Sequence, residues 1–322
     1  MTRRSQVSPL ILHSFEQTAF ALPLLFAMSM LGVRPAQTQT LQLLLRFSGV
    51  NGEYPYAGLT IDAQGRLYGT TRQGGGYSQN CQGGCGTVFK LTHENSGWVQ
   101  NVLYQFRDGT DGGLPESRVI FGPDGTLYGT TSGGGAGYGT VFNLQPPPTA
   151  CKTPICPWTE TVIHDFEGTS NGYDGDGPLG DLAFDQAGNL YGTTTQGGQY
   201  DFGTAYELTK VNGLWTESVL YSFTNFAPHP HAGVAIDANG NLYGTVPVAY
   251  SYCCSYYGAI YELSPSGSGW TQQIIHYLQQ SDGGDPYAGV IFDAAGNLYG
   301  ATSYYGADNG GTAFELSPSN GG

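Results

Sequence analysis

Between residues 41 and 317 the chain alternates short apolar runs with clusters of Gly, Asp, Asn, Ser and Pro. The runs are rich in Val, Ile, Thr, Tyr and Phe, which is typical of strands bounded by turns. After residue 40 no stretch keeps an apolar period of 3.6 residues over the length of a globular helix. The pattern therefore predicts an all-β chain.

One phrase, Gly-x-Leu-Tyr-Gly followed by two small or β-branched residues, recurs along the chain. Its five copies lie at Gly65–Thr71, Gly125–Thr131, Gly188–Thr194, Gly240–Val246 and Gly296–Thr302. Strand-like units repeated at such intervals indicate a propeller or a solenoid.

Each repeat holds four strand-like runs. In the first repeat, a run after a proline (residues 55–61) ends in the turn Asp62-Ala-Gln-Gly65, and the repeated phrase is the second run. The third run is Gly86–Leu91, and the fourth, Trp98–Phe106, begins with an aromatic residue. Four consecutive strands of this kind predict one antiparallel blade.

The phase of the repeats favours a closed ring. An additional copy of the fourth run, Leu41–Phe47, precedes the first repeat, whereas no fourth run follows Gly311–Leu316. Pairing the two would complete the last blade and remove exposed sheet edges. The prediction is a five-bladed β-propeller of four-stranded antiparallel blades, closed by the N-terminal strand at residues 41–47.

The repeated phrase, the Gly-Gly pairs at Gly74-Gly75, Gly133-Gly134 and Gly197-Gly198, and the Gly-Thr-Val-Phe-x-Leu run resemble the GloVer tandem-repeat family of exported bacterial proteins. The resemblance covers residues 41–317. It implies an exported protein whose molecular activity the family does not specify. Family members often carry a C-terminal anchor, and residues 317–322 resemble none of these anchors, so we expect no anchoring there.

The N-terminus predicts export. Arg3 and Arg4 precede the apolar stretch Ala19–Val33, which suits a signal peptide over residues 1–36 with a cleavage site between 32 and 40. A retained N-terminal membrane anchor is the alternative. The mature propeller domain would then span residues 37–322 and be secreted, periplasmic or displayed on the cell surface.

Charge limits the choice of partners. The formal net charge is −14, and no Lys/Arg run is present. Such a surface argues against nucleic acid and against binding to anionic lipid. We expect a monomer, with a glycan or another cell-surface polymer as its partner and no membrane contact beyond the signal segment.

Six cysteines occur in three local pairs, Cys81 with Cys85, Cys151 with Cys156, and Cys253 with Cys254. An even number in an exported chain favours disulfides that close surface loops. The vicinal pair stays ambiguous, because such a ring is strained and pairing in trans or free thiols are alternatives.

Candidate binding residues emerge where the repeats differ around the proline before each first strand. That position lies at the mouth of the central channel in a propeller. Three residues past the proline, Arg118 and Asp181 stand where the other repeats have glycine. We expect an asymmetric pocket whose candidate ligand-binding residues are Tyr54, Tyr56, Glu116, Arg118, Asp181, His231 and Tyr287.

Two functions fit such a pocket. Tyrosines can cover the apolar face of a sugar while fixed polar groups meet its hydroxyls, which favours a non-enzymatic glycan-binding module. The alternative is a glycan-cleaving enzyme that uses Glu116 and Asp181 as acid and base. A structural reading also stays open, in which Arg118 and Asp181 form an ion pair that fills the channel.

No cofactor is expected from the motifs. The Asp-Gly clusters at residues 108–112, 174–177 and 282–285 place carboxylates on turns, where they could hold Ca²⁺. None has the complete calcium-loop pattern, and Asp-Gly is ordinary turn chemistry.

Overall fold

The computed structural model describes residues 40–147, 158–169, 173–250 and 255–318. The predicted signal peptide and Cys151, Cys156, Cys253 and Cys254 lie outside these ranges. The regular structure of the described residues consists of strands. Among them, no helix is long and apolar enough to cross a membrane.

The strands form five antiparallel sheets, each in chain order, and these are the blades of a five-bladed β-propeller. Blade 1 consists of Thr60–Ile61, Leu67–Thr71, Thr87–Glu94 and Gly97–Gln105. Blade 2 consists of Ile120–Phe121, Leu127–Thr131, Thr140–Gln145 and Thr159–Asp165. Blade 3 consists of Ala183–Phe184, Leu190–Thr194, Thr204–Val211 and Leu214–Ser222.

The last two blades follow the same order. Blade 4 consists of Ala235–Ile236, Leu242–Val246, Ala259–Ser266 and Gly269–Tyr277. Blade 5 consists of Ile291–Phe292, Leu298–Thr302 and Thr312–Leu316. Two further two-stranded sheets pair Gly175–Asp176 with Gln196–Gly197 and Ala249–Tyr250 with Ser255–Tyr256. The predicted all-β propeller is confirmed.

The repeated tyrosine has a structural role in the turn between the first two strands. In blade 1, the carboxylate of Asp62 accepts the backbone N–H groups of Gln64 and Arg66 and the hydroxyl of Tyr68. The same tyrosine–aspartate bond occurs in every blade, at 2.9 to 3.5 Å. The Asp-x-x-Gly-x-Leu-Tyr consensus is therefore explained by turn formation.

The threonine that ends the repeated phrase fastens the second strand to the third. Thr71 and Thr87 share a hydrogen bond of 2.8 Å between buried hydroxyls, and blades 2, 3 and 5 have the equivalent bond. Blade 4 replaces both hydroxyls, because Val246 lies opposite Ala259. The pair changes together, which leaves no buried hydroxyl without a partner.

The hydrophobic core lies between blades. The last aromatic residue of one fourth strand contacts an aromatic residue in the third strand of the next blade. Phe106 meets Phe142, Phe166 meets Tyr206, and Phe223 meets Tyr261, each pair with ring centroids 5.1 Å apart. These rings are buried, so adjacent blades stabilise each other.

The last blade differs from the predicted four-stranded form. It has three strands, and residues 41–47 carry no strand. Phe47 nevertheless contacts Phe89 at 5.2 Å, as the repeat predicts for the residue at that position. The aromatic contact is thus present at the start of blade 1, whereas the hydrogen-bonded closing strand is absent from the described residues.

Among the described residues, the junction between blades 5 and 1 also lacks two contacts that most other junctions have. In blades 1, 3 and 4 a threonine of the second strand donates to a backbone carbonyl of the next blade, as Thr193 does to Ala232. Ala301 occupies this position in blade 5. The leading prolines of blades 2 to 5 lie against a glycine of the preceding blade, and Pro55 has no such contact among the described glycines.

Candidate functional site

The loops that precede the first strands form the mouth of the central channel, and their backbone is under strain. The residue before each leading proline has a positive φ between 51° and 66°. These residues are Tyr54, Leu114, Gly177, His229 and Asp285. Four of them carry a side chain, for which this conformation is unfavourable.

Backbone hydrogen bonds to the preceding blade hold four of these loops. The backbone N–H of Leu114 donates to the backbone carbonyl of Cys85. Equivalent bonds to a carbonyl of the preceding blade are made by the N–H groups of Gly177, His229 and Asp285, and all four lengths lie between 2.7 and 3.0 Å. The Cys81–Cys85 disulfide lies beside the first of these bonds. The side chains that follow each proline are therefore presented on a backbone fixed by the neighbouring blade.

Arg118 and Asp181 meet across blades 2 and 3. The Nη2 atom of Arg118 lies 3.2 Å from Oδ2 of Asp181, while the backbone N–H of Arg118 donates to Oδ1 at 2.7 Å. The two side chains are 43 % and 41 % exposed. The pair is therefore accessible to a ligand at the mouth and is also a structural link between the blades.

Glu116 has a partner that the sequence comparison missed. Arg72 Nε lies 2.7 Å from Glu116 Oε1, and the hydroxyl of Ser132 donates to the same oxygen at 3.5 Å. Arg72 and Ser132 each follow the repeated phrase, where blades 3 and 5 have Thr195 and Ser303. Arginine at a position that carries a hydroxyl in three other repeats and Pro247 in blade 4 was the signal that could have identified it.

The aromatic candidates form two separate pairs. Tyr54 and Tyr56 stack with centroids 6.1 Å apart, and His231 meets Tyr287 edge-on at 5.1 Å. Burial, with a smaller contribution from neighbouring His229, lowers the pKa of His231, so its ring is neutral at pH 7. A neutral imidazole can both donate and accept a hydrogen bond.

Four of the seven candidates thus meet in pairs across blades: Arg118 with Asp181 across blades 2 and 3, and His231 with Tyr287 across blades 4 and 5. In the described part of the chain, no hydrogen bond or ring contact joins Asp181 to His231, or Tyr287 to the Tyr54–Tyr56 stack. The geometry is a discontinuous ring of polar and aromatic pairs around the channel mouth.

Exposed tyrosines mark this end of the propeller. First strands begin here and second strands end here, because neighbouring strands are antiparallel. Every exposed tyrosine among the described residues lies on loops at this end, with exposed fractions from 42 % to 78 %. We call them the tyrosine face: Tyr54, Tyr56, Tyr77, Tyr173, Tyr200, Tyr250, Tyr287 and Tyr304.

A cleft of about 380 Å³ adjoins one of these tyrosines. It lies on blade 3 and is lined by Gln199, Tyr200, Val219, Leu220, Tyr221, Ser222 and Thr224. The repeat comparison did not identify it, because its walls come from the second-to-third loop and the fourth strand.

A third polar feature recurs near the outer ends of the blade junctions. The side chain that lies two residues before the buried residue following each fourth strand is a tyrosine or histidine, and in blades 1 and 4 it faces a carboxylate of the next loop. Tyr104 donates to Asp111 at 3.0 Å, and His276 lies 3.2 Å from Asp282. The carboxylate also accepts a backbone N–H of the loop, as Asp111 does from Arg107 and Asp282 from Gln279. In two of the three Asp-Gly clusters, at residues 108–112 and 282–285, a carboxylate therefore bonds a turn and a blade junction.

At each junction a further polar side chain comes from the fourth strand of the next blade, from the position opposite the leucine of the third strand. This residue is Gln100, Glu160, Glu217 or Gln272 in blades 1 to 4. Between blades 2 and 3, His164, Asp174 and Glu217 place one ligand atom each within 4.8 Å of one another. Among the described residues this is the group of His, Cys, Asp and Glu side chains that could hold a metal ion.

Glu160 supplies a testable pH dependence. Burial, followed by the charge of Asp111, raises the pKa of Glu160 to about 7. In the unfolded chain this carboxyl has its ordinary pKa of 4.5. The folded state therefore loses stability as the pH rises from 4.5 to about 7. We expect Glu160→Gln to stabilise the protein at pH 8 by about 1 kcal/mol, a figure reduced for solvent screening.

At pH 4 the same variant and the parent should unfold at the same temperature, because the carboxyl is protonated in both states. Thermal unfolding followed by circular dichroism at the two pH values measures the difference. Glu94→Gln, in an exposed hairpin, is the control and should change neither midpoint. An equal effect of Glu160→Gln at pH 4 and pH 8 would contradict the assignment.

Comparison with known families decides the classification. A family described as the Gloeobacter/Verrucomicrobia repeat matches residues 30–252 and 155–322. The chain belongs to this family. The Gloeobacter/Verrucomicrobia repeat thus covers the whole propeller, which confirms the resemblance read from the repeated phrase. The sequence matches no curated protein.

Three solved structures similar to this Gloeobacter/Verrucomicrobia repeat protein have low sequence identity to it and TM-scores below 0.5. A protein of unknown function from Dyadobacter fermentans is 10 % identical, with 83 % of each chain covered and a TM-score of 0.47. A thermostable family-43 glycoside hydrolase is 12 % identical over 82 % of this chain and 89 % of its own, with a TM-score of 0.43. A PL25 ulvan lyase is 10 % identical over 80 % and 68 %, with a TM-score of 0.44.

Proposed function

We propose that this protein is a non-enzymatic binding module that acts outside the cytoplasm and binds a glycan across the tyrosine face. The observation that carries the proposal is the restriction of the exposed tyrosines to one end of the propeller. Exposed apolar groups concentrated on one surface mark an interaction site.

The chemistry of this end fits a carbohydrate. Stacked Tyr54 and Tyr56 offer a flat apolar surface for a pyranose ring, and the half-exposed Arg118–Asp181 pair offers donors and acceptors for hydroxyls. The net charge of −14 disfavours a polyanion. A neutral polysaccharide is therefore the expected ligand.

Two observations support a location outside the cytoplasm. The family resemblance implies export, and the Cys81–Cys85 disulfide is a bond that persists in oxidising compartments. The N-terminal export signal predicted from the sequence agrees with both.

The enzyme alternative is less well supported by the geometry. It needs Glu116 and Asp181 to face a pocket as acid and base. Glu116 is instead paired with Arg72, and Asp181 with Arg118.

A glycan array probed with the full-length protein tests the proposal. We expect binding to neutral polysaccharides and not to sulfated or uronic ones. Three variants then locate the surface: Tyr54→Ala with Tyr56→Ala, Tyr200→Ala, and Arg118→Gly with Asp181→Gly. The last is expected to fold, because Gly58, Gly233 and Gly289 occupy the same repeat position.

We expect the tyrosine double variant to lose about 1–3 kcal/mol of binding free energy, in the range of stacking and aromatic contacts. Leu214→Ala, which removes an exposed apolar side chain from the opposite end, is the matched control and should bind like the parent. No glycan bound by the parent, or equal loss in the Leu214 variant, would overturn the proposal.

A further inference from the structure

The junction between blades 2 and 3 carries a combination of side chains that its neighbours lack. His164 is the next-to-last residue of the fourth strand of blade 2, Asp174 lies in the following loop, and Glu217 lies in the fourth strand of blade 3. The equivalent groups between blades 1 and 2 are Tyr104, Asp111 and Glu160, with tyrosine in place of histidine. Between blades 3 and 4, Tyr221 bonds Gln272.

From this comparison we propose that His164, Asp174 and Glu217 bind a divalent transition-metal ion, Zn²⁺ by its chemistry, and so link blades 2 and 3. Their ligand atoms lie within 4.8 Å of one another. The Nε2 atom of His164 lies 3.3 Å from Oδ2 of Asp174. Ligand atoms around a tetrahedral zinc are separated by about 3.3–3.5 Å, given zinc–ligand distances of about 2.0–2.2 Å.

Unsatisfied atoms provide the second observation. Nε2 of His164 and Oε1 of Glu217 are buried, and neither makes a hydrogen bond of acceptable geometry, although Nε2 lies near Asp174. Buried polar atoms are normally paired, so two such atoms in one three-residue group point to a missing partner. A cation with a vacant coordination site for each would satisfy both.

The third ligand is already oriented. Asp174 accepts the backbone N–H of Glu167 on Oδ2 and that of Gly175 on Oδ1, at 3.0 and 2.7 Å. Hydrogen bonds of this kind hold the carboxylates that bind metals in a fixed direction.

The donor set selects the ion. One imidazole nitrogen with two carboxylates is a set that Zn²⁺ accepts, with water as the fourth ligand. Ca²⁺ and Mg²⁺ prefer oxygen-only coordination. Two carboxylates also bring enough negative charge to balance the ion.

Other junctions of the propeller supply the test variants. His164→Tyr reproduces the tyrosine of the junction between blades 1 and 2, and Glu217→Gln reproduces Gln272. Both should therefore fold. His276→Tyr is the matched control, because His276 faces Asp282 without a nearby third carboxylate in the described residues.

The experiment is titration calorimetry of the full-length protein with ZnCl₂ at pH 7.5, together with thermal unfolding in ZnCl₂, CaCl₂ or MgCl₂. We expect one Zn²⁺ per chain, a higher unfolding temperature with Zn²⁺ alone, and at least ~10-fold weaker binding in the His164 and Glu217 variants. His276→Tyr should bind Zn²⁺ like the parent.

Three results would overturn the proposal. They are no Zn²⁺ binding by the parent, unchanged binding in His164→Tyr and Glu217→Gln, or an equal loss in His276→Tyr. Zinc held by cysteine thiols would give the second result, because the first two variants leave every cysteine in place. Circular dichroism without metal separates lost binding from lost folding in each variant.

Discussion

Gly233→Ala is expected to destabilise the propeller by about 3 kcal/mol, since the added carbon overpacks a tight contact between blades. A Cβ at Gly233 would overlap the backbone of Asp181, whose carbonyl oxygen, carbonyl carbon and nitrogen all lie close. Backbone atoms cannot move aside as the end of a flexible side chain can. Thermal unfolding of the purified variant measures the loss.

Gly58→Ala is the matched control at the same repeat position. The nearest atom to its added carbon would be Cδ of Arg118, at 3.8 Å, which is an ordinary van der Waals distance. We expect the free energy of unfolding to stay the same or to rise by about 0.5 kcal/mol, because alanine lowers the conformational entropy of the unfolded chain. Equal unfolding temperatures for the two variants would contradict the close approach of blades 3 and 4 at the channel.

Phe106→Ala should destabilise the protein by about 3–5 kcal/mol, because it empties a buried ring position between blades 1 and 2. Phe106 is 3 % exposed and contacts both Tyr104 and Phe142. Phe47, its repeat equivalent, contacts Phe89 but lies in a segment without a strand and is half-buried. Phe47→Ala should therefore lower the free energy of unfolding by only about 1–2 kcal/mol.

The two alanine variants measure how the ring closes. If residues 41–47 formed a complete fourth strand on blade 5, the two alanine variants would show similar losses in the free energy of unfolding. Chemical denaturation of the parent and the two variants under the same conditions gives the comparison. Equal losses would favour the closing strand predicted from the repeats over the three-stranded last blade.

Most of the blade structure was predictable because it depends on short-range patterns. The alternating runs locate the second, third and fourth strands to within a few residues. The Asp-x-x-Gly turn and the tyrosine that bonds its aspartate lie within seven residues, so their geometry is local. The first strands are shorter than predicted, at two residues each, because the channel-side backbone is occupied by contacts between blades.

The candidate site was predicted in part. Differences among repeats identified Arg118 and Asp181, and the structure places them in contact. The same comparison did not find Arg72 beside Glu116, because it covered the residues around the leading prolines and Arg72 follows the repeated phrase. It also gave no reason to join His164 with Glu217, which meet where two blades pack.

By itself the sequence determined the repeat, the number of blades, the turns and the residues that vary around the channel mouth. These follow from hydrophobic alternation and turn chemistry, both of which act over a few residues. The tertiary structure decided which side chains meet across blades, that the exposed tyrosines share one end, and that the last blade has three strands. Such outcomes depend on contacts between segments far apart in the chain, whose partners are set by the packing of blades around the axis.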